Sequence, residues 1–321
     1  MSELLVEPLL EDLGLDYEGL HVVAVGGGHG LAQALLAVQD YADVITAIVT
    51  VADDGGSSGR LAPALGIPPP GDIRRALLAL SPEETLWRRL VEHRFEAGDV
   101  AGHSLGNLIL AALTEFYGSF EDALRMAGRL LEARGRVLPV SPEPLRLEAT
   151  IDGVDVVGQV AVAQARGRLE ELRVLPENAA ASAQALEAIS DADQIVIGPG
   201  SLFTSLASCL KVSGVADAMN ASEAQVVYVC NLTTQDGETL GMDAVDHVEA
   251  LVQHTGVDPP DVVVANDGDF VVPPSIDAVR ADAERLERLG VRLETGDLAD
   301  PAAEWPQHDP ARLGAILRRL A

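Results

Sequence analysis

Lysine is almost absent. Lys211 is the only one in 321 residues, and the other 21 basic side chains are arginine. A Schiff-base mechanism or a Walker-type phosphate lysine therefore has one candidate. Positive charge is scarce altogether, since 22 Lys and Arg stand against 50 Asp and Glu, a net charge of −28. That excludes a general basic surface for DNA, RNA or an anionic membrane. Aromatic residues make up only 3%, so the core must be built from small aliphatic side chains. Two cysteines, Cys209 and Cys230, are too few for a disulfide scaffold or a Cys-based zinc site. No apolar run reaches the ~18 residues that a membrane span needs. The acidic start, MSELLVEPLLEDLGLDYEGL, lacks the basic region of a signal peptide. These absences point to a cytoplasmic protein whose acidity solvates its surface.

What is present is a rhythm of strand, glycine turn and helix. Residues 1–20 read as a leader, and 21–321 as one nucleotide-binding domain. HVVAVGGG (21–28) and VITAIVTVADDGG (44–56) are continuous apolar runs that stop at glycines or acids. Buried parallel strands have this texture, because both of their faces are covered. Helical spacing follows in 31–41, 72–80 and 102–116. Residues 136–175 differ and read as short strands joined by DG and RG turns, a small antiparallel insert. The alternation then resumes up to the strand DVVVAND, and the tail 277–321 reads as helical. The fold class expected is α/β, a Rossmann-like, doubly wound and mostly parallel sheet with a small antiparallel insert.

In such sheets ligands sit at the carboxyl ends of the strands, near the reversal of strand order. The unusual glycines and polar residues fall at those ends. Gly26, Gly27, Gly28, His29 and Gly30 lie between the first strand and its helix. Glycines admit a phosphate to the backbone, and the helix start offers free N–H groups. The G-x-G-x-x-G fingerprint is off by one position, since residue 31 is Leu. His29 reads equally as a phosphate contact or a wet helix start.

Asp53, Asp54, Gly55, Gly56, Ser57, Ser58 and Arg60 close the second strand. An acid here either grips a ribose hydroxyl or, as a pair, holds Mg²⁺ against a pyrophosphate. Arg60 offers a fork for phosphate. Asp72 reads as an N-cap and Arg74 as a side chain facing an anion. In Gly102-His103-Ser104-Leu105-Gly106-Asn107, His103 reads as a general base, a phosphate contact or a packed turn residue. A His103–Ser104 triad is disfavoured, because sequence neighbours rarely pair as nucleophile and base. Gly198, Gly200, Ser201 and Thr204 mark a second helix start ready for an anion. Asn231, Thr234 and Gln235 carry groups able to read a base or sugar edge. No histidine spacing matches a zinc motif.

Taken in order, GGGHGL, TVADDGGSSGRL, PPGDIR, HRF, GHSLGNL, GRVLP, IGPGSLFTS and NLTTQDGET resemble the YvcK family of gluconeogenesis-factor-like proteins, a branch of the CofD-like superfamily. The likeness spans roughly 21–270. It implies a Rossmann-like fold and a nucleotide ligand, a UDP-sugar or NAD. It also implies a regulatory role in cell shape and cell-wall precursor supply during gluconeogenic growth, with no established reaction. A regulatory protein partner and a homodimer are compatible with that role. The enzyme branch of the superfamily resembles CofD, which moves a phospholactyl group from a guanosine diphosphate donor to a deazaflavin with Mg²⁺. On that rival reading Asp53, Asp54 and His103 are the catalytic candidates. The glycine-serine loop 198–201 and residues 55–60 favour the YvcK pattern. His29, in place of a hydroxyl residue, and Gln307, in place of a basic one before His308, depart from it.

Overall fold

The structure is a computed structural model and describes residues 19–321; most of the expected leader lies outside the described residues. Ten strands occur in chain order: β1 (His21–Gly26), β2 (Val44–Val49), β3 (Arg136–Pro139), β4 (Arg146–Ile151), β5 (Val154–Val157), β6 (Leu169–Leu175), β7 (Gln194–Ile197), β8 (Gln225–Val229), β9 (Val262–Asn266) and β10 (Arg292–Gly296). Seven of them form one parallel sheet in the order β3-β2-β1-β7-β8-β9-β10. The order runs outward from β1 in one direction, then from β7 in the other. The seam between β1 and β7 is thus the switch point of a doubly wound sheet, where the flanking connections diverge and leave a crevice.

The central strands are buried on both faces because helices cover both. Their side chains are mostly Val, Ile and Ala, with Tyr228 the one buried aromatic among them. The helices that matter below are α1 (Gly28–Val38), α2 (Gly56–Leu65), α3 (Pro70–Ala79), α4 (Leu86–Glu92) and α5 (Leu105–Tyr117). Helix α1 packs between α3 and the C-terminal helix Pro310–Leu320. Gly314 permits that last contact, since a Cβ there would meet the Ala37 carbonyl at 2.6 Å.

Two expectations are corrected. The β-rich stretch 136–175 divides: β3 is the edge of the parallel sheet, and only β4–β6 form the separate antiparallel sheet, in the order β5-β4-β6. The tail is not simply helical, since β10 adds a seventh strand beside β9. Its sequence, RLETG, is too short and polar to announce a strand, and pairing at a sheet edge decides the matter. After β2, α2 begins at Gly56 and takes in Ser57, Ser58 and Arg60. Among the described residues no helix is long and apolar enough to cross a membrane.

Candidate functional site

The parallel register brings Gly26 level with Val49, and Val25 level with Ile197. The loops that follow β1, β2 and β7 therefore open on one rim. Gly28 has φ +68°, in the left-handed region that favours glycine. Gly30 lets two loops touch, since any Cβ there would collide with the Pro199 carbonyl. The glycines at 198 and 200 lie under this contact. Asn231 clamps the loop from the far side: its Oδ1 accepts from the Gly200 amide (3.0 Å) and its Nδ2 donates to the Gly200 carbonyl (2.8 Å).

A cavity of about 440 Å³ opens at this rim. Gly28, Asp53, Ser57, Ser58, Asp72, Arg74, Arg75, Arg94, Asn107, Ser201 and Thr204 are among its lining residues. Helix α2 points its N-terminus here, with Gly55 as N-cap and no side chain capping it. Its free N–H groups and partial positive charge suit an anion. Asp72 is the third residue of α3, after Pro69 as N-cap and Pro70 in the first turn, so it is not the N-cap expected. Pro70 has no N–H to offer, and the next amide, of Gly71, donates to Ser58 Oγ at 3.0 Å. Asp72 is buried and paired with Arg75 Nη1 at 2.5 Å. Burial, and then the nearby Asp53 charge, raise its pKa, with Arg75 pulling the other way.

Three arginines thus line one cavity in a chain of net charge −28. Arg74 is the informative one. It is only 8% exposed and its guanidinium makes no ion pair; Nε donates to Asn107 Oδ1 at 3.0 Å. Burial, then Arg75 and Arg94, push its pKa down to about 10, with Glu92 and Asp72 pulling the other way. A buried cation flanked by cations is costly unless an anion joins it. Asn107 Nδ2 donates in turn to Ser57 Oγ (3.0 Å), and Ser57 Oγ lies 2.9 Å from His103 Nδ1. His103 is buried behind this wall, and burial, then Arg60 and Arg94, lower its pKa. Ser104 caps α5 by accepting the Asn107 amide at 3.2 Å.

The short helix Gln159–Gln164, after β5, crosses the mouth and lines the cavity with Gln159, Val160, Ala163 and Gln164. Asp54 Oδ1 accepts the Val160 amide at 2.9 Å, and Gln159 Nε2 donates to the Thr204 carbonyl at 2.8 Å. So Asp54 does not line this cavity but fastens a strap. The carboxylates that face the cavity together are Asp53 and Asp72, which suits a hard cation whose other ligands are phosphate oxygens and water. Among the described residues no group of three or more His, Cys, Asp or Glu gathers as for a metal ion.

Several expected residues do not join the cavity. Arg60 points outward and donates to the Ala101 carbonyl (2.7 Å). His29 is exposed at the rim. Asn231 is spent on Gly200. Thr234 Oγ1 accepts the Asp277 amide (2.9 Å). The Gln235 backbone N–H donates to Thr239 Oγ1 (2.9 Å), and the Gln235 side-chain Oε1 is buried without a partner among the described residues. None of these lines the cavity. Arg75, Arg94 and the strap were missed. The repeated Arg in PPGDIRR and the Arg in HRF were the signals available for the first two; nothing local marks the strap. A separate depression of about 510 Å³ lies at the opposite ends of β8 and β9, lined by Asn220, Asp258, Asp261 and Arg292 among others. It has neither an arginine cluster nor a glycine loop.

The strand order and the arginine-rich crevice at its seam define a Rossmann-like α/β protein of the dinucleotide-fold type with a site suited to anions. The family described as 2-phospho-L-lactate transferase CofD matches residues 22–299. A putative gluconeogenesis factor of Mycobacterium tuberculosis is 41% identical over 317 residues, covering 92% of this chain and 89% of its own. One from Thermotoga maritima is 43% identical over 287 residues, 89% of this chain and 87% of its own. A crystal structure of a upf0052 family member from Bacillus halodurans superposes with a TM-score of 0.89 at 38% identity, covering 93% of this chain and 98% of that one. The chain belongs to the CofD family, in the branch whose curated members are named gluconeogenesis factors.

Proposed function

We propose that this chain is a cytoplasmic nucleotide-binding regulatory protein whose ligand is a UDP-sugar, UDP-glucose or UDP-N-acetylglucosamine, with NAD as the competing dinucleotide. Occupancy reports precursor supply and shifts the interaction with a partner protein that controls cell-wall synthesis and shape under gluconeogenic growth. The observation that carries the reading is Arg74, a guanidinium buried at the switch point with no ion pair among the described residues. The diphosphate lies against Arg74, Arg75 and Arg94 and the N-terminus of α2. Asp53 and Asp72 hold Mg²⁺ to it. Isothermal titration with UDP-N-acetylglucosamine, UDP-glucose and NAD tests the reading; no heat from any of the three removes it.

One observation favours a second reading, transfer of a phospholactyl group from a guanosine diphosphate donor to a deazaflavin. A further cavity of about 690 Å³, lined by Pro63, Pro69, Pro144, Leu145 and Leu175, lies on the other side of Asp53, which borders both spaces. An acceptor held there would meet a donor across that carboxylate. Incubation of both substrates with saturating Mg²⁺ decides: absence of transfer product rejects the transferase.

A further inference from the structure

Arg74, Asn107, Ser57 and His103 form a single file of hydrogen bonds of 3.0, 3.0 and 2.9 Å along one wall of the cavity. Chemistry fixes most of its directions. Arg74 Nε can only donate, so Asn107 must present Oδ1 to it and its amide nitrogen to Ser57. Ser57 Oγ has one hydrogen and two lone pairs, and Asn107 occupies one lone pair. His103 Nδ1 settles the rest. When Nδ1 is bare, the Ser57 hydrogen is spent on it, and the cavity faces the remaining lone pair. When Nδ1 carries hydrogen, it donates into that lone pair, and the Ser57 O–H turns toward the cavity.

A phosphate oxygen only accepts. Arg74, Arg75 and Arg94 mark this wall as the place for such an oxygen. A Ser57 lone pair aimed at it would repel it, whereas the O–H would bind it. We propose that His103 is a positioning residue that sets the polarity of Ser57, and that the anionic ligand is bound in the state with hydrogen on His103 Nδ1. The inference rests on the diphosphate reading above and adds the residue that selects an acceptor over a donor at this point. His103 reaches the ligand only through Ser57. The charged groups facing His103 are Arg60 of α2 and Arg94 from the stretch before α5; Arg74 of α3 acts one residue further along the file. In the free protein burial and these two cations disfavour the imidazolium. An anion seated beside Ser57 reverses that balance, by tautomer exchange or by proton uptake.

Nitrogen-15 spectra of the full chain with labelled histidine read Nδ1 directly. The His103 signal is assigned by its loss in His103→Asn. Spectra are recorded free and saturated with UDP-N-acetylglucosamine, with UDP-glucose and NAD in parallel. The expected result is a bare Nδ1 in the free protein and a protonated one in the complex. In Ser57→Ala the affinity falls about tenfold, about 1.4 kcal/mol, and the His103 signal no longer responds to ligand. A bare His103 Nδ1 in the complex overturns this inference and leaves the functional reading standing. A wild-type chain that binds none of the three ligands overturns both.

Discussion

Glu238 caps Thr204. Its carboxylate accepts the Thr204 hydroxyl at 2.6 Å and the Thr204 amide at 3.4 Å, and takes the Phe203 amide at 3.0 Å as well. These amides open the π-helical turn Leu202–Ala207, which the sequence marks as a seat for phosphate. An internal carboxylate already fills that seat. The anion is therefore left to α2 and the arginines, while the loop after β7 contributes hydroxyls to the cavity wall.

Burial raises the pKa of Glu238, and the bonds from Thr204 and Phe203 only partly oppose it. A carboxyl whose folded pKa lies above its unfolded value stabilises most below the ordinary glutamate range, and that contribution fades as pH rises past the folded value. Glu238→Gln keeps an acceptor without the charge, so its urea midpoint should fall less than the wild type's between mildly acid and mildly alkaline buffer. Glu238→Ala leaves two amides without their acceptor and should cost about 1–3 kcal/mol at every pH. Equal pH slopes for wild type and Glu238→Gln would contradict the assignment.

Arg74→Met separates stability from binding. The guanidinium is buried without an ion pair, so an apolar side chain of similar length removes a desolvated charge. Thermal unfolding should change little, relief of the desolvated charge being offset by Asn107 Oδ1 losing its donor. Nucleotide affinity should fall by about 2 kcal/mol, roughly thirtyfold, the scale of a hydrogen bond to a charged group. A residue kept for function rather than for stability behaves this way. A variant that loses stability and retains affinity would make Arg74 structural.

Much of the architecture was legible because it depends on patterns that are local. Apolar runs such as HVVAVG and VITAIV end in glycines and acids, and the parallel sheet puts those ends on one rim. Gly30 was visible as a glycine, but its reason, the Pro199 carbonyl from 169 residues away, belongs to tertiary structure. The adjacent acids Asp53 and Asp54 looked like a pair. In the loop after β2, however, Asp53 lines the cavity with Asp72 while Asp54 fastens the strap at Val160. Asn231 and Thr234 have the right chemistry for a sugar edge and are consumed by Gly200 and Asp277. Sequence places residue types at a rim; the direction of each side chain is decided by the partners that arrive from elsewhere.

That division of the two aspartates gives a paired test. Asp72→Asn should weaken the dependence of nucleotide binding on Mg²⁺, because the cation keeps one carboxylate of two. Asp54→Asn alters the hold on the Val160 amide instead. Hydrogen exchange across residues 158–165 should quicken in Asp54→Asn and stay as in wild type in Asp72→Asn. Quickened exchange in both variants would mean that the two carboxylates act as one unit.

His308 supplies an acid-stability prediction. It is 4% exposed, its Nε2 has no hydrogen-bond partner, and burial lowers its pKa from 6.5 to about 4. A histidine whose folded pKa is depressed contributes stability that is whole above the unfolded value and is lost as pH falls toward the folded value. The window is therefore pH 6.5 down to about 4, and the loss is about 3 kcal/mol at 1.36 kcal/mol per unit. Burial also lowers the pKa values of His247 and His254, so the acid limb of the wild type carries their shares too. His308→Gln isolates one share, because glutamine does not titrate. Urea midpoints measured through that window should fall less steeply in His308→Gln than in the wild type. Parallel acid limbs would mean that the imidazole reaches solvent before the fold opens.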